Sequence, residues 1–407
     1  MISFDDALAT VLASTEPLGT TQIGIEQSAG YFLAESILAP NPLPRFDNSA
    51  VDGYAVFADD TNGATRSSPV SLQVMGSISA GEKSAVPLRH GCTFKIFTGG
   101  QIPAGVNAVI MREQVSEGES IAITQPAAPG MNIRRAGEEF QVGDHVLSAQ
   151  CRITPAVIGL LAQLGCSSCT VYRKPSVALV ITGSELISTG GTLRSSQVYD
   201  SNSPSLTAAL QAAGITDFSA QRIADSPEPL RQCLEQALAS HDVVITVGGV
   251  SMGDHDYVRD VCASLGIRQM FWQVAMKPGK PNYFGVFASN SGQQKLVFGL
   301  PGNPVSALVS FLLFVKPALR KMMGEQYASP ELIPARLSKE IRKERGKLEF
   351  ARGRLKMENG NWSVEPVGRQ GSHMLGGMAE ANCLIHCPAD RELIAMGETV
   401  FVQKIEW

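Results

Sequence analysis

Glycines, lysines and carboxylates that could bind a charged ligand follow a series of apolar segments between residues 176 and 310. Glycines let the backbone approach a phosphate, lysines neutralise its charge, and carboxylates can hold a metal ion or polarise a leaving group. Open α/β sheets bind ligands where their parallel strands end. We therefore predict one cleft lined by the turns of four segments: TGSEL (182–186), GGVSMGDHDYV (248–258), KPGKP (277–281) and GLPGNPVSA (299–307).

The diglycine segment has the chemistry of an anion site. Gly248 and Gly249 follow a strand and Ser251 precedes a helix, so backbone N–H groups and a hydroxyl would face a phosphate. The segment matches neither the P-loop nor the dinucleotide-binding pattern, which argues against ATP or NAD bound in those ways. Asp254 and Asp256 follow in the first turn of the helix. They either complement the helix dipole or hold a cation beside the anion.

Two further turns carry lysines and a helix start. Lys277 and Lys280 alternate with prolines, which restrict the backbone and would hold both lysines in place. A solvated charged turn is the alternative for that segment alone. Pro301 and Asn303 lie in a preformed turn that opens a helix, with amides pointing outward. Because such turns leave one sheet at the same edge, we expect them to converge on a single cleft.

Polar turns also lie outside this region. They occur in FDNSAVDGYAV (46–56), around Thr98 and around Arg134. Taken singly, each is more typical of a surface loop than of catalysis.

Composition indicates a multidomain globular protein. The 407 residues exceed one ordinary domain, and 44% are hydrophobic against 18% charged. A formal net charge of −4, with no block of lysine or arginine, argues against a nucleic-acid partner. The longest apolar stretch, residues 305–315, is shorter than the ~20 residues of a membrane span. The start shows no signal-peptide pattern, so we expect a cytoplasmic location, and scattered cysteines predict neither disulfides nor structural zinc.

The pattern of elements predicts an α/β plus β fold. Residues 174–322 alternate strands and helices as in a doubly wound α/β domain, and SVALVIT (176–182) is typical of a parallel strand buried on both faces. Alternating segments before it predict an inserted β-rich module, and the tail predicts a small β-barrel or sandwich. The predicted domains are 1–42 with 130–172 (discontinuous N-terminal domain), 43–129 (β-rich module), 173–323 (α/β domain) and 324–407 (C-terminal β-barrel domain).

Local signals predict the ends of several elements. Ser3 is expected to cap an N-terminal helix, and Asn202 or Ser203 to cap a helix that stops at Gly214. Residues 155–164 form a predicted helix that ends at Gly165. Residues 137–147 have the pattern of a hairpin.

Together these segments make the chain similar to one family. FDNSAVDGYAV, IFTGGQIPAGVNAVIM, NIRRAGEEF, TGSEL, GGVSMGDHDYV, KPGKP and GLPGNPVSA occur in that family's order and spacing. The chain thus resembles, almost end to end, the molybdopterin molybdenumtransferase or MoeA family, which includes the matching domain of gephyrin.

The resemblance implies an enzyme of molybdenum cofactor biosynthesis. Family members take adenylylated molybdopterin and molybdate with Mg²⁺, insert molybdenum at the dithiolene, and give molybdenum cofactor and AMP. It implies an elongated homodimer in which the α/β domain of one subunit and the β module of the other share the active cleft. The implied further partners are molybdopterin adenylyltransferase and other proteins of cofactor biosynthesis, with no nucleic acid and no membrane.

The resemblance also assigns residues to the cleft by matched motif. The catalytic set is Glu185, Asp225, Asp256, Lys277 and Asp52, and the first three could hold the metal. The substrate-binding set is Thr98, Arg134, Gly248, Gly249, Ser251, Lys280, Pro301, Asn303, Arg352 and Ser372. Asp52 and Thr98 would come from the partner subunit. These residue types suit anionic substrates and Mg²⁺, and adenylate cleavage would depend on positioning and charge stabilisation rather than on a covalent nucleophile.

Three positions depart from the family pattern. Ser184 and Glu139 stand where the family commonly has aspartate, and Gln273 stands where it commonly has lysine. We expect activity to survive with weaker anion affinity, because a charge near the cleft is lost.

Two other functions are compatible with parts of the chain. A non-catalytic scaffold, as gephyrin uses this domain to hold receptor tails, would need a long disordered linker and a second cofactor-binding domain, and neither occurs in this sequence. The adenylylating enzyme of the preceding step would share only the α/β domain and would lack both the FDNSAVDGYAV module and the tail.

Overall fold

The computed structural model describes residues 1–250, 257–289, 292–326 and 330–407. The chain divides into two compact units. The larger comprises Met1–Ala34, Gln150–Thr154 and Ser168–Trp407, and the smaller comprises Glu35–Ala149 and Pro155–Ser167. Within the described ranges, none of the helices has both the length and the apolar character needed to cross a membrane.

A six-stranded sheet forms the centre of the larger unit. Its strands lie in the order Phe218–Ile223, Val177–Thr182, Val243–Val247, Gln294–Leu300, Tyr283–Ala288 and Arg268–Trp272. The first four are mutually parallel, and Tyr283–Ala288 runs antiparallel to both of its neighbours. From Val177–Thr182 the chain goes first to one neighbouring position and then to the other. The switch point of the sheet therefore lies between Val177–Thr182 and Val243–Val247.

Helices cover both faces of this sheet. Val177, Leu179 and Ile181 pack into one apolar cluster, while the alternating Ala178 and Val180 pack into another. This two-residue alternation follows from the pleat of a strand, and burial on both faces explains the unbroken apolar run. The first cluster contains residues of helices Phe4–Ala13, Asn202–Ala212 and Pro304–Ser310; the second contains residues of helices Pro227–Ser240 and Val258–Ser264. The predicted doubly wound domain is confirmed.

Two predicted helix ends, the Ser3 cap and the stop at Gly165, are confirmed, whereas the predicted cap of a third helix is wrong. Ser3 caps the first helix by accepting a hydrogen bond from the Asp6 backbone N–H, as predicted. The helix predicted over residues 155–164 spans Pro155–Gln163 and stops before Gly165, which has φ of +85°. The predicted caps Asn202 and Ser203 are wrong, because helix Asn202–Ala212 already includes both. Instead, the Asp200 carboxylate accepts a hydrogen bond of 3.0 Å from the Ser203 backbone N–H.

The apolar helix after Pro304 is irregular near its middle. It runs as Pro304–Ser310, a π-helical turn over Phe311–Val315, and Lys316–Met322. Pro317 has no N–H with which to bond the carbonyl four residues earlier, so the regular ladder is interrupted there.

The tail of the larger unit closes into a five-stranded barrel. Going round the ring, the strands are Leu348–Glu358, Asn361–Pro366, Leu332–Leu337, Thr399–Lys404 and Cys383–Cys387, and the last pairs again with the first. The predicted barrel is confirmed. The short strand Met276–Lys277 adds in parallel to Leu348–Glu358, and a short helix, Leu375–Glu380, follows Asn361–Pro366.

The smaller unit contains a second six-stranded sheet. The order is Ala108–Met111, Gly53–Val56, Cys92–Ile96, Val70–Ile78, Ser120–Ile123 and Val115–Ser116. The predicted hairpin over residues 137–147 is wrong. Strand His145–Leu147 pairs with Ile37–Leu38, and Phe140 bridges to Leu43, so the segment pairs with the chain before the sheet rather than with itself. The chain does turn within this segment, at Gly143 with φ of +86°.

Short two-stranded pairs complete the fold: Thr20–Gly24 with Ser168–Tyr172, Asn48–Ser49 with Ile133–Arg134, Leu186–Ile187 with Val198–Tyr199, and Ile341–Arg342 with Leu393–Ile394. The division into four domains at the predicted boundaries stays a prediction.

Candidate functional site

Two strand ends meet at the switch point with no space for side chains. Gly248 and Gly249 follow strand Val243–Val247 with φ of +92° and +64°. A methyl group added at Gly248 would lie 2.7 Å from Oγ1 of Thr182, the last residue of the neighbouring strand. One at Gly249 would lie 3.1 Å from Cγ2 of Val258 and 3.6 Å from the same Oγ1. Glycine is therefore required for the chain to turn here. The Gly248 N–H continues the sheet by donating a 3.0 Å hydrogen bond to the Leu300 carbonyl, so the Gly249 N–H is the amide of this pair that a phosphate could approach.

A third turn lies beside the first two. A methyl group at Gly302 would lie 3.7 Å from Cα of Gly248, so the turn with Pro301 and Asn303 reaches the same edge. Nδ2 of the buried Asn202 donates a 2.7 Å hydrogen bond to the Gly302 carbonyl and fixes this turn. From the sequence, Asn202 was predicted only as a helix cap. Its position after a strand, in YDSN, was the available signal.

Two of the proposed metal ligands lie at neighbouring strand ends. Glu185 follows Val177–Thr182, and Asp225 follows the adjacent Phe218–Ile223. The Asp225 backbone N–H lies 3.4 Å from Ser184 Oγ, and a methyl group at Gly249 would lie 3.9 Å from Asp225 Oδ1. The described residues include no group of three His, Cys, Asp or Glu side chains that could hold a metal. Mg²⁺ commonly takes one or two carboxylates with substrate phosphates, so this donor pair fits it.

The structure of two predicted site residues is not described. Ser251 and Asp256 belong to residues 251–256, which lie outside the described ranges.

The lysine turn is packed rather than solvated. Pro278 and Gly279 are buried, and a methyl group at Gly279 would lie 2.8 Å from Ser310 Oγ. The alternative of a free charged turn is therefore wrong, because this backbone rests on helix Pro304–Ser310. Lys277 and Lys280 remain half-buried, and Lys277 Nζ lies 3.4 Å from Oε2 of Glu349 on the barrel.

Arg352 is buried in the barrel and does not reach the solvent. Its exposure is 1%, and its guanidinium donates hydrogen bonds of 3.1 Å to the Gly371 carbonyl and 2.5 Å to the Arg369 carbonyl. Burial lowers the pKa of Arg352, and the charge of Glu349 partly opposes this. Ser372 follows Gly371 in the same loop. Its hydroxyl accepts a 3.1 Å hydrogen bond from Asn303 Nδ2, and its carbonyl accepts one of 3.1 Å from the Val305 N–H. The barrel loop thus joins the turn at the sheet edge.

The smaller unit carries the remaining predicted residues. Oδ1 of Asp52 accepts hydrogen bonds of 2.8 Å from both the backbone N–H and the hydroxyl of Thr98. These two bonds, the backbone one first, lower the pKa of Asp52 and keep it ionised. Both residues are exposed, as is Arg134, which pairs with Asn48 on an adjoining short strand.

Comparison with known proteins covers almost the whole chain. Residues 2–165 match the MoeA N-terminal region (domains I and II), 178–321 a probable molybdopterin-binding domain, and 334–405 the MoeA C-terminal region (domain IV). A molybdopterin molybdenumtransferase of Haemophilus influenzae is 35% identical over 99% of this chain and 98% of its own. The chain belongs to the molybdopterin molybdenumtransferase family.

Other members of the family agree with this assignment. Molybdopterin molybdenumtransferase 2 of Mycobacterium tuberculosis is 38% identical over 92% of both chains. The crystal structure of a molybdopterin biosynthesis MoeA protein from Pyrococcus horikoshii superposes with a TM-score of 0.82 at 31% identity, covering 99% of each chain. An adenylylating enzyme that shares only the α/β domain would not account for this coverage.

The positions that depart from the family pattern have distinct surroundings. Ser184 is exposed at the sheet edge beside Asp225. Gln273 adopts φ of +68° and donates its backbone N–H to the Asn282 carbonyl at 3.0 Å. Glu139 is exposed in the smaller unit, where its backbone N–H bonds to the Leu43 carbonyl at 2.9 Å.

Proposed function

We propose that this chain inserts molybdenum from molybdate into adenylylated molybdopterin and releases AMP and molybdenum cofactor. As a member of its family it is a transferase of molybdenum cofactor biosynthesis, and molybdenum insertion is the family's reaction. Adenylate cleavage is the finer step that we add. It consumes one water, and one phosphorus–oxygen bond breaks to give AMP and the phosphorylated pterin.

One observation carries the location of this reaction. The turns after three parallel strands meet at the switch point, where Thr182, Gly248 and Gly302 are in close contact. This is the edge at which open α/β sheets take ligands, and here it offers the Gly249 amide and the carboxylates of Glu185 and Asp225 that follow neighbouring strands. A phosphate-linked pterin has the charge that such an edge can bind.

Each side chain then has a role that its position supports. The Gly249 backbone amide would bind a phosphate, and Gly248, which has no side chain, would let the phosphate approach. Lys277, with Lys280 beside it, would neutralise the charge of phosphate or molybdate. Pro301 and Asn303 would shape the adjacent wall. Arg352 and Ser372 would act through the loop that holds Asn303.

The carboxylates suit a magnesium ion. Glu185 and Asp225 would hold Mg²⁺ together with substrate phosphate oxygens. When bound, Mg²⁺ would neutralise charge that develops on the cleaved phosphate. Asp256, predicted as a third ligand, lies outside the described residues.

The proposal includes a homodimer whose subunits share each cleft. Asp52, Thr98 and Arg134 lie in the smaller unit, yet the family motif assigns them to the same reaction as Lys277. We infer that a partner subunit contributes them, and reconstitution of activity from two inactive variants tests this. A cytoplasmic location and contacts with the adenylyltransferase of the preceding step complete the proposal.

A direct assay tests the function. The full chain is incubated with adenylylated molybdopterin, Mg²⁺ and molybdate, and AMP is followed over time. We expect AMP release that depends on the protein and stops in Glu185→Gln. A chain that binds the adenylylated pterin but releases no AMP would instead favour a scaffold.

A further inference from the structure

A buried carboxylate contacts the lysine of the cleft. Glu349 lies on the barrel strand Leu348–Glu358, directly beside Lys277 in the parallel register. The Leu348 N–H donates a 3.1 Å hydrogen bond to the Ala275 carbonyl and holds the two strands together. Oε2 of Glu349 lies 3.4 Å from Lys277 Nζ. The matched motifs assign this acid no role.

The surroundings of Glu349 are unusual for an acid. It is 5% exposed, and within the described part of the chain its Oε2 has no hydrogen-bond donor. A buried carboxylate without hydrogen bonds is unfavourable unless positive charge lies close by. Lys277 supplies one such charge at 3.4 Å. Arg352, three residues along the same strand, interacts electrostatically with the carboxylate.

Arg352 depends on this carboxylate for its charge balance. Its guanidinium is 1% exposed and donates to two backbone carbonyls, neither of which is charged. Burial lowers the pKa of Arg352, and the charge of Glu349 raises it. The group of Lys277, Arg352 and Glu349 therefore has two positive charges and one negative charge.

This balance affects an incoming oxyanion. The Lys277 side chain is 45% exposed, whereas that of Glu349 is 7% exposed, so an anion can reach the lysine but not the acid. The carboxylate attracts Lys277 Nζ from the barrel side and repels a dianion on the open side. It fixes the ammonium group and weakens its hold on the anion.

We propose that Glu349 is a positioning residue that holds Lys277 and competes with molybdate for it. The competition keeps molybdate weakly bound, so that the anion can leave the lysine for the pterin. This inference rests on the proposed function, because it assumes that Lys277 meets molybdate.

Molybdate binding by Glu349→Gln tests the competition. Glutamine has nearly the shape of glutamate, so the substitution removes the charge and leaves the packing. We expect the Kd for molybdate, measured by calorimetry on the full chain, to fall about tenfold, and the gain to shrink with added salt. In the insertion assay, KM for molybdate should fall while kcat also falls, since Lys277 loses its support. A purely structural role would not tighten binding.

Two further variants control for net charge and for folding. Glu358→Gln makes the same change in charge at an exposed position on the same strand and should leave the Kd unchanged. Glu349→Asp keeps the charge and withdraws it by one methylene, so the Kd should fall by a smaller factor, about threefold.

The outcomes separate this inference from the function on which it rests. An unchanged or higher Kd in folded Glu349→Gln, or an equal effect of Glu358→Gln, overturns the inference while wild-type insertion stands. Should Glu349→Gln fail to fold, an unchanged Kd in Glu349→Asp overturns it. A wild-type chain that neither binds molybdate nor inserts it overturns the proposed function and this inference together.

Discussion

Lys277 shows how one side chain can serve both packing and chemistry. Its side chain is half-exposed, and its Nζ lies 3.4 Å from a carboxylate oxygen of the buried Glu349. Removing the lysine removes the proposed anion contact and also leaves a buried acid without its partner. A single substitution therefore cannot separate the two effects, but a pair of substitutions can.

We expect Lys277→Ala to lower molybdenum insertion by at least about 100-fold, because charge stabilisation is lost. The free energy of unfolding should fall by only about 1–2 kcal/mol, since water screens the half-exposed lysine. Lys277→Ala with Glu349→Gln should regain stability without regaining activity. Lys356→Ala, exposed on the same barrel strand, is the control. Denaturant unfolding and the insertion assay measure both quantities, and activity in the double variant would contradict the assigned role.

Motif matching at this scale identifies residue types but not their access to solvent. Arg352 was predicted to bind substrate, yet at 1% exposure it meets backbone carbonyls of the barrel loop. Glu349 was missed, because nothing in the segment LEFARG (348–353) distinguishes a buried acid from an exposed one. The pairing of Met276–Lys277 with this strand depends on segments about 70 residues apart in the chain.

At the scale of the elements, the proposed cleft lies where parallel strands end. Some of the glycines in the turns there leave no space for a larger side chain. Gly248 and Gly266 both have positive φ, +92° and +76°. A methyl group at Gly248 would meet Thr182 Oγ1 at 2.7 Å, whereas one at Gly266 would meet nothing within 4 Å. The two positions share the backbone strain but differ in crowding.

We expect Gly266→Ala to lower the free energy of unfolding by about 1 kcal/mol and to keep full activity. Gly248→Ala should lower it by about 1–3 kcal/mol and should also reduce AMP release at least tenfold, because the methyl group pushes the two strand ends apart. Thermal unfolding and AMP release compare the pair. Equal activity in the two variants would show that this edge does not bind the substrate.

A partly buried histidine makes the barrel sensitive to acid. His386 lies on strand Cys383–Cys387 with its ring edge-on to Phe350 at 4.9 Å, and burial lowers its pKa from 6.5 to about 4. Between these values the unfolded chain binds a proton that the folded chain does not, so stability falls as the pH falls. The loss between pH 7 and pH 5 should be about 2 kcal/mol. In His386→Phe this difference should shrink, and in His145→Gln, exposed in the smaller unit, it should persist. Urea titrations at pH 7 and pH 5 measure the free energy of unfolding of the wild type and of both variants.

Elements with local signals were predictable, and pairings between distant segments were not. Ser3 and the Gly165 stop are confirmed because both act within one turn of helix. The apolar run 176–182 predicted its strand because both faces are covered. The hairpin over 137–147 was wrong because its partner strand, Ile37–Leu38, lies about a hundred residues earlier. The Asp200 cap was missed because four polar residues in a row, 200–203, offer the same signal.

At the scale of the whole molecule, predicted site residues fall in both compact units. Glu185, Asp225 and Lys277 belong to the larger unit, and Asp52 and Thr98 to the smaller one. A cleft shared between subunits makes two inactive variants complementary, because a mixed dimer contains one intact site.

We expect co-expressed Asp52→Ala and Lys277→Ala chains to recover activity that neither has alone. Random pairing gives half mixed dimers, each with one intact site of two, so the recovery should be about a quarter of wild type. Purification through a different tag on each chain isolates the mixed dimer. If it stays as inactive as its parents, each cleft belongs to a single subunit.

The stoichiometry of one reaction decides whether this chain couples adenylate cleavage to molybdenum insertion. Wild-type protein, adenylylated molybdopterin, Mg²⁺ and molybdate are mixed, quenched at intervals, and assayed in each sample for AMP and for pterin-bound molybdenum. We expect the two products to appear together in equal amounts, and neither to appear with Lys277→Ala. Molybdenum bound to the pterin with no AMP released, or AMP released with no molybdenum inserted, would contradict it.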